Sequence, residues 1–137
     1  MTKIGLDSSV VLRLLVGEPE AQARGALRWL RDAKKAGIRP VVCDLVVAEV
    51  YFALQHHFGV SKAAALNHLS QFLSGGEVTP DGAAASVLAV PGLATAKPGF
   101  VDRLIHAHYA KGKEEGMATF ERAAQSLPRV VLLGDAP

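Results

Sequence analysis

Apolar residues fall along this chain in two rhythms: short unbroken runs, as buried strands have, and longer stretches in which they recur every three or four positions, as helices have. Lys3 to Leu6 is the first short run, and it ends at Asp7-Ser8-Ser9, where an N-cap opens a helix over Val10 to Val16. Gly17-Glu18-Pro19 interrupts that helix. Pro19 suits the first turn of a second one, which runs to about Ala36 and is closed by Gly37. In it Ala23, Ala26, Leu27, Leu30 and Ala33 share one side, while Arg24, Arg28, Arg31 and Lys35 share another.

Pro40 to Cys43 reads as a second strand, with Asp44 as cap of a helix from Leu45 to about His57. Gly59 ends that helix, and Ser61 starts another that stops at Ser74-Gly75-Gly76. Glu77 to Thr79 is a weak third strand. Pro80-Asp81 then opens an Ala-rich helix to Val90, and a loop runs from Pro91 to Pro98. Phe100 to Lys111 repeats at helical spacing until Gly112, Met117-Ala118 is a fourth strand, Phe120 to Ser126 a short helix, and Val130 to Leu133 a fifth strand. Short apolar strands separated by helices imply crossovers and a parallel sheet covered on both faces, so the class is α/β. No internal repeat, low-complexity tract or long linker divides the chain, and residues 1–137 read as one domain.

Composition narrows this picture. At 137 residues with 50% hydrophobic and 20% charged, the chain can bury a core of its own without a disulfide framework or structural zinc. Cys43 is the single cysteine, so no internal bridge forms and a reducing cytoplasmic setting is expected. The opening apolar stretch is too short for a signal peptide, and no run approaches the roughly 20 apolar residues of a membrane span. Fifteen Lys and Arg against thirteen Asp and Glu give only +2. Setting aside four acids considered next leaves nine acids and a net of +6, a basic body around an acidic spot, which suits a polyanion held near cations.

The chemistry-bearing residues are acidic. There is no G-x-G-x-x-G after the first strand, no G-x-x-x-x-G-K-[ST] and no G-x-S-x-G, so dinucleotide binding, P-loop hydrolysis and a serine nucleophile lose their usual support. Ligands of open α/β sheets bind beyond the carboxyl ends of strands. Asp7 ends the first strand and Glu121 follows the fourth, so both face one crevice if those strands are neighbours. Glu49 in Val46-Val47-Ala48-Glu49-Val50-Tyr51-Phe52 and Asp102 in Phe100-Val101-Asp102-Arg103-Leu104-Ile105 are set among apolar residues, where a buried charge needs a compensating partner. Carboxylates converging on one crevice are tolerated when a hard divalent cation binds them, and Mg2+ or Mn2+ with oxygen ligands is the chemistry of phosphodiester hydrolysis.

The opening segment Ile4 to Gly17, the Val46-Val47-Ala48-Glu49-Val50 helix, Gly99 to Ile105 and Ala118-Thr119-Phe120-Glu121-Arg122-Ala123 together resemble PIN-domain ribonucleases, and among them the VapC-type toxins of toxin–antitoxin pairs. The resemblance runs over essentially the whole chain. It implies a three-layer α/β/α domain with a five-stranded parallel sheet, and an endoribonuclease dependent on Mg2+ or Mn2+. Asp7, Glu49 and Asp102 match the family's three core acids, and Glu121 stands where the family more often has aspartate. Ser8 or Ser9 after the first acid, and Thr119 before the fourth, are polar residues able to orient a carboxylate or water. The resemblance also implies an RNA substrate, a homodimer, and a cognate antitoxin that holds the toxin inactive.

Each residue has a plainer reading. Asp7 can be only an N-cap, Glu49 and Asp102 can be ion-paired, and Glu121 can favour a helix N-terminus through its dipole. Asp44 and Asp81 are read as caps and Asp135 as part of the tail. His56, His57, His68, His106 and His108 lack a ligand geometry, although Asp102 and His106 are four apart and can meet. Trp29 is read as core. Arg24, Arg28, Arg31 and Lys35 form either a solvated face or a contact for RNA. Two rival functions stand beside the nuclease: a catalytically silent PIN-like module that binds RNA or protein, for which Glu121 is the feature in favour, and a phosphohydrolase acting through a phosphorylated Asp7, against which the missing D-x-D counts.

Overall fold

The computed structural model describes residues 2–112 and 114–136. The chain divides into two compact units, residues 1–85 and 86–137, with the division inside a short helix. In the first unit the order is β1 (Lys3–Gly5), α1 (Ser8–Val16), α2 (Glu20–Lys35), β2 (Arg39–Cys43), α3 (Asp44–His56), α4 (Lys62–Ser74) and β3 (Thr79–Asp81), after which α5 (Ala84–Leu88) begins. The strands form a parallel sheet in the order β1-β2-β3, with Ile4 opposite Pro40 and Val42 opposite Pro80. Pro80 lacks an N–H and lies on an end strand of that sheet, the position where proline costs least.

Parallel strands cannot be joined by a tight turn, so a pair of helices crosses over between each two strands. Helices α2 and α3 both pack on β2, α1 on α2 and α3, and α4 on α3. Val11, Val42, Val47, Val50, Leu54 and Leu69 are the buried centre of this unit. Helix α1 ends where expected, at Gly17, whose φ of 80° is the left-handed conformation that glycine adopts without steric cost. Leu27 does not join the buried side of α2 with Ala23, Leu30 and Ala33: it is 53% exposed.

The second unit holds α6 (Phe100–Tyr109), β4 (Met117–Thr119), a 3-10 helix (Arg122–Ser126) and β5 (Val130–Leu132). Strands β4 and β5 pair in parallel, Ala118 opposite Val131. Phe100, Leu104, Met117 and Ala124 are buried. The Arg129 guanidinium donates to the carbonyls of Glu115 and Ala110, at 2.7 and 3.0 Å, and so ties the end of α6 to the approach of β4. The five strands expected in one sheet therefore hydrogen-bond as a three-stranded sheet and a two-stranded one.

Two junctions differ from the sequence reading, for one shared reason. Asp44 opens α3 but makes no cap there; its carboxylate instead accepts the N–H groups of Ala83 and Ala84, both at 2.9 Å, at the start of α5. The third strand accordingly lies at Thr79–Asp81 rather than Glu77–Thr79, and Asp81 is a strand residue opposite Cys43 rather than a cap. Gly82 makes the turn with φ 140°, and a Cβ there would collide with the Asp44 carboxylate. Pairing β3 beside β2 in this register delivers the orphan N–H groups of α5 to the residue that follows β2. Asp44→Ala is expected to lower stability by about 2 kcal/mol, the scale of losing charge-assisted bonds to a helix start. Asp44→Asn, which keeps an acceptor, should lose less; urea unfolding of both variants measures the difference, and an unchanged midpoint for Asp44→Ala would refute the assignment.

Candidate functional site

Asp7 stands just beyond the carboxyl end of β1 and is the N-cap of α1. The Ser9 hydroxyl donates to Asp7 Oδ1 at 2.6 Å, and the Val10 N–H donates to the same oxygen at 3.2 Å. The Ser9 hydroxyl bond first, and the Val10 backbone bond second, hold the Asp7 carboxyl below the usual aspartate range. The plain reading of Asp7 as a cap is thus realised. It does not exhaust the group, because an ionised carboxylate has acceptor capacity beyond two bonds on one oxygen. Of the two serines, Ser9 is the one that meets the acid, while Ser8 is buried.

Glu49 lies in the second turn of α3 and is exposed, contrary to the crowding its sequence neighbours suggested. The helical period explains the difference. Val47, Val50, Tyr51 and Leu54 turn inward, and Leu45, Glu49, Phe52 and His56 form the outward stripe. Two of those outward residues are large and apolar, Leu45 at 83% exposure and Phe52 at 45%. The helix is apolar nearly all round, so its sequence could not show which side faced water.

Asp102 in the second unit repeats the correction. It sits in the first turn of α6 and is exposed, with Phe100 and Leu104 turned inward and Ile105 and Tyr109 outward. His106 is buried and its Nε2 donates to the Pro128 carbonyl at 2.6 Å, so it braces the loop before β5 rather than meeting Asp102. Glu121 is exposed at the N-terminus of the 3-10 helix and makes no side-chain cap. Thr119 acts on its backbone: the Glu121 N–H donates to Thr119 Oγ1 at 3.0 Å. Among the described residues neither Glu49 nor Asp102 is ion-paired; the described ion pair joins Arg24 to Glu20.

The other polar candidates divide clearly. Arg24 is engaged with Glu20 at 2.6 Å, whereas Arg28, Arg31 and Lys35 are exposed and unpaired among the described residues. Trp29, read as core, is only half-buried and lines an apolar cleft with Ile4, Leu6, Val10 and Ala26. His56, His57, His68 and His108 are exposed. Sequence reasoning passed over Phe52, whose outward placement only the helix phase reveals.

Asp7 and Glu49 in the first unit, and Asp102 and Glu121 in the second, are thus exposed carboxylates with no ion pair among the described residues. Among the described residues no group of three or more His, Cys, Asp or Glu stands close enough to hold a metal ion. The donor chemistry nonetheless fits magnesium, a hard cation that keeps several waters and is commonly held by only one or two carboxylates. None of the described helices is long and apolar enough to cross a membrane.

An α/β chain with parallel strands, and with acids placed after the first strand, in the helix after the second and after the fourth, defines a class before it defines a protein. The family is given by sequence: the PIN domain model matches residues 4–129, across both units, and this chain belongs to the PIN-domain family. PIN domains are generally nucleases and typically use divalent metals. No curated protein and no solved structure matches the chain.

Removing the Ser9 hydroxyl tests the electrostatics of Asp7 directly. Ser9→Ala is expected to raise the Asp7 carboxyl pKa toward the ordinary aspartate value, as read by NMR titration. Because the folded value lies below the unfolded one, these bonds stabilise the fold above the unfolded pKa, and the contribution is lost as pH falls through the folded value. In Ser9→Ala that low-pH loss should shrink.

Proposed function

We propose that this PIN domain is a metal-dependent endoribonuclease and the toxin of a toxin–antitoxin pair, working in the cytoplasm as a homodimer restrained by its antitoxin. The observation that carries the nuclease reading is that all four family acid positions are occupied by exposed carboxylates with no ion pair among the described residues. A single family match running over both units supports reading the chain as one domain.

On this reading Asp7 and Asp102 are the residues that would hold a Mg2+ or Mn2+ ion, with Glu49 and Glu121 acting on it through water. Such a cation, when bound, lowers the pKa of a water and offsets the charge that builds on phosphorus. The chain's own contribution is orientation and charge. Ser9 and the Val10 N–H fix Asp7 in one rotamer and keep it ionised near neutrality. Thr119 fixes the backbone from which Glu121 projects. Glu121 is one methylene longer than aspartate, so it reaches a water farther from its backbone. Attack by water leaves a 5′-phosphate and a 3′-hydroxyl, whereas attack by the 2′-hydroxyl would leave a cyclic phosphate. Arg28, Arg31 and Lys35 supply cations for the RNA backbone outside the acidic site.

Purified protein free of antitoxin should cut total cellular RNA with manganese into discrete products bearing 5′-phosphates. EDTA should abolish the cutting, and Asp7→Asn should reduce it by about 100-fold or more, the scale of losing a charge-stabilising group. Persistent cutting by a nuclease-free preparation of Asp7→Asn would sink the site, and a folded wild type that binds RNA without cutting it would favour the silent module. Substituting Arg28, Arg31 and Lys35 together with glutamine should weaken RNA binding across sequences and reduce the slope of log affinity against log salt by about 2 to 3.

A further inference from the structure

The outward stripe of α3 carries an aromatic surface that the acids do not account for. Phe52 is 45% exposed although the same helix has buried positions for Val47, Val50, Tyr51 and Leu54. Its ring is stacked on His56, with centroids 6.2 Å apart and planes 19° from parallel, and the Tyr51 ring, 5.4 Å away, is tilted 59° to it. Phe52 lies three residues on from Glu49, on the same face of the helix and about one turn away. An aliphatic partner would need only apolar area. A flat ring that is nearly half exposed and backed by a second ring is the kind of surface on which a nucleobase stacks. The same unit supplies backbone countercharge in Arg28, Arg31 and Lys35, all exposed and unpaired among the described residues.

We propose that Phe52, backed by His56, is the platform on which an unpaired RNA base stacks beside Glu49, so that it positions the strand for cleavage. This rests on the reading of the chain as a ribonuclease, because it takes RNA as the occupant of that face. Stacking requires a base that is free of a duplex, and the platform therefore selects loops and single strands over paired regions.

The test is fluorescence anisotropy of a labelled single-stranded RNA of about ten nucleotides, with EDTA present so that nothing is cut. Phe52→Leu, which keeps apolar bulk at an exposed position, is expected to bind about tenfold more weakly than wild type, and Phe52→Trp to bind at least as tightly. On an abasic strand of the same length the gap between Phe52→Leu and wild type should close, while the salt slope of all three proteins stays the same. Equal binding by Phe52→Leu, a gap that persists on the abasic strand, a folded Phe52→Trp that fails to restore affinity, or a wild type that does not bind RNA would each overturn the platform. Cleavage with manganese separates this from the nuclease itself. Cutting that survives with Phe52→Leu binding unchanged removes the platform and keeps the nuclease, whereas Phe52-dependent binding without cutting removes the nuclease and keeps the platform.

Discussion

Parallel pairing is the constraint from which the rest of the molecule follows. Strands that run the same way must be joined by long crossovers, so β1, β2 and β3 each hand the chain to a helix at their carboxyl ends. Every such junction exposes helix N–H groups that need acceptors, and an aspartate at that point is the economical answer. Asp7 serves the helix that follows its own strand, and Asp44 serves the helix that follows the neighbouring one. The fold thereby collects carboxylates at one end of its strands for structural reasons, and a site that needs oxygen ligands can draw on the same supply.

The elements themselves were largely legible because periodicity, caps and breakers agreed with one another. Asp7, Gly17, Ser61 and the Gly75-Gly76 pair mark their boundaries from chemistry local to a few residues. The misreadings fall where the deciding contact is distant. Asp44 and Asp81 both look like caps from their neighbours, and only the register of β3 on β2 shows that one caps a helix forty residues away and the other none. The pairing of five strands into sheets of three and two is likewise absent from the pattern, since apolar runs announce strands but not their partners.

The acids were legible as residues and misread as environments. Glu49 and Asp102 drew notice because apolar neighbours in sequence implied burial, yet both face outward. An apolar helix does not display its phase, and a carboxylate among valines can mark the wet side of a buried helix as well as a dry charge. The same ambiguity hid Phe52, which reads as core in any window of the sequence and stands in the open. His106 shows the converse: a histidine whose spacing from Asp102 allowed the two to meet is locked inside against Pro128.

The bond from Asp44 to Ala83 and Ala84 has a further consequence in time rather than in space. It joins positions 39 and 40 residues apart, so it closes a loop that contains α3, α4 and β3, and its formation carries the entropy cost of that closure. The amide hydrogens of Ala83 and Ala84 therefore report on the whole loop. Their exchange with solvent reads the opening of that loop at the start of a five-residue helix.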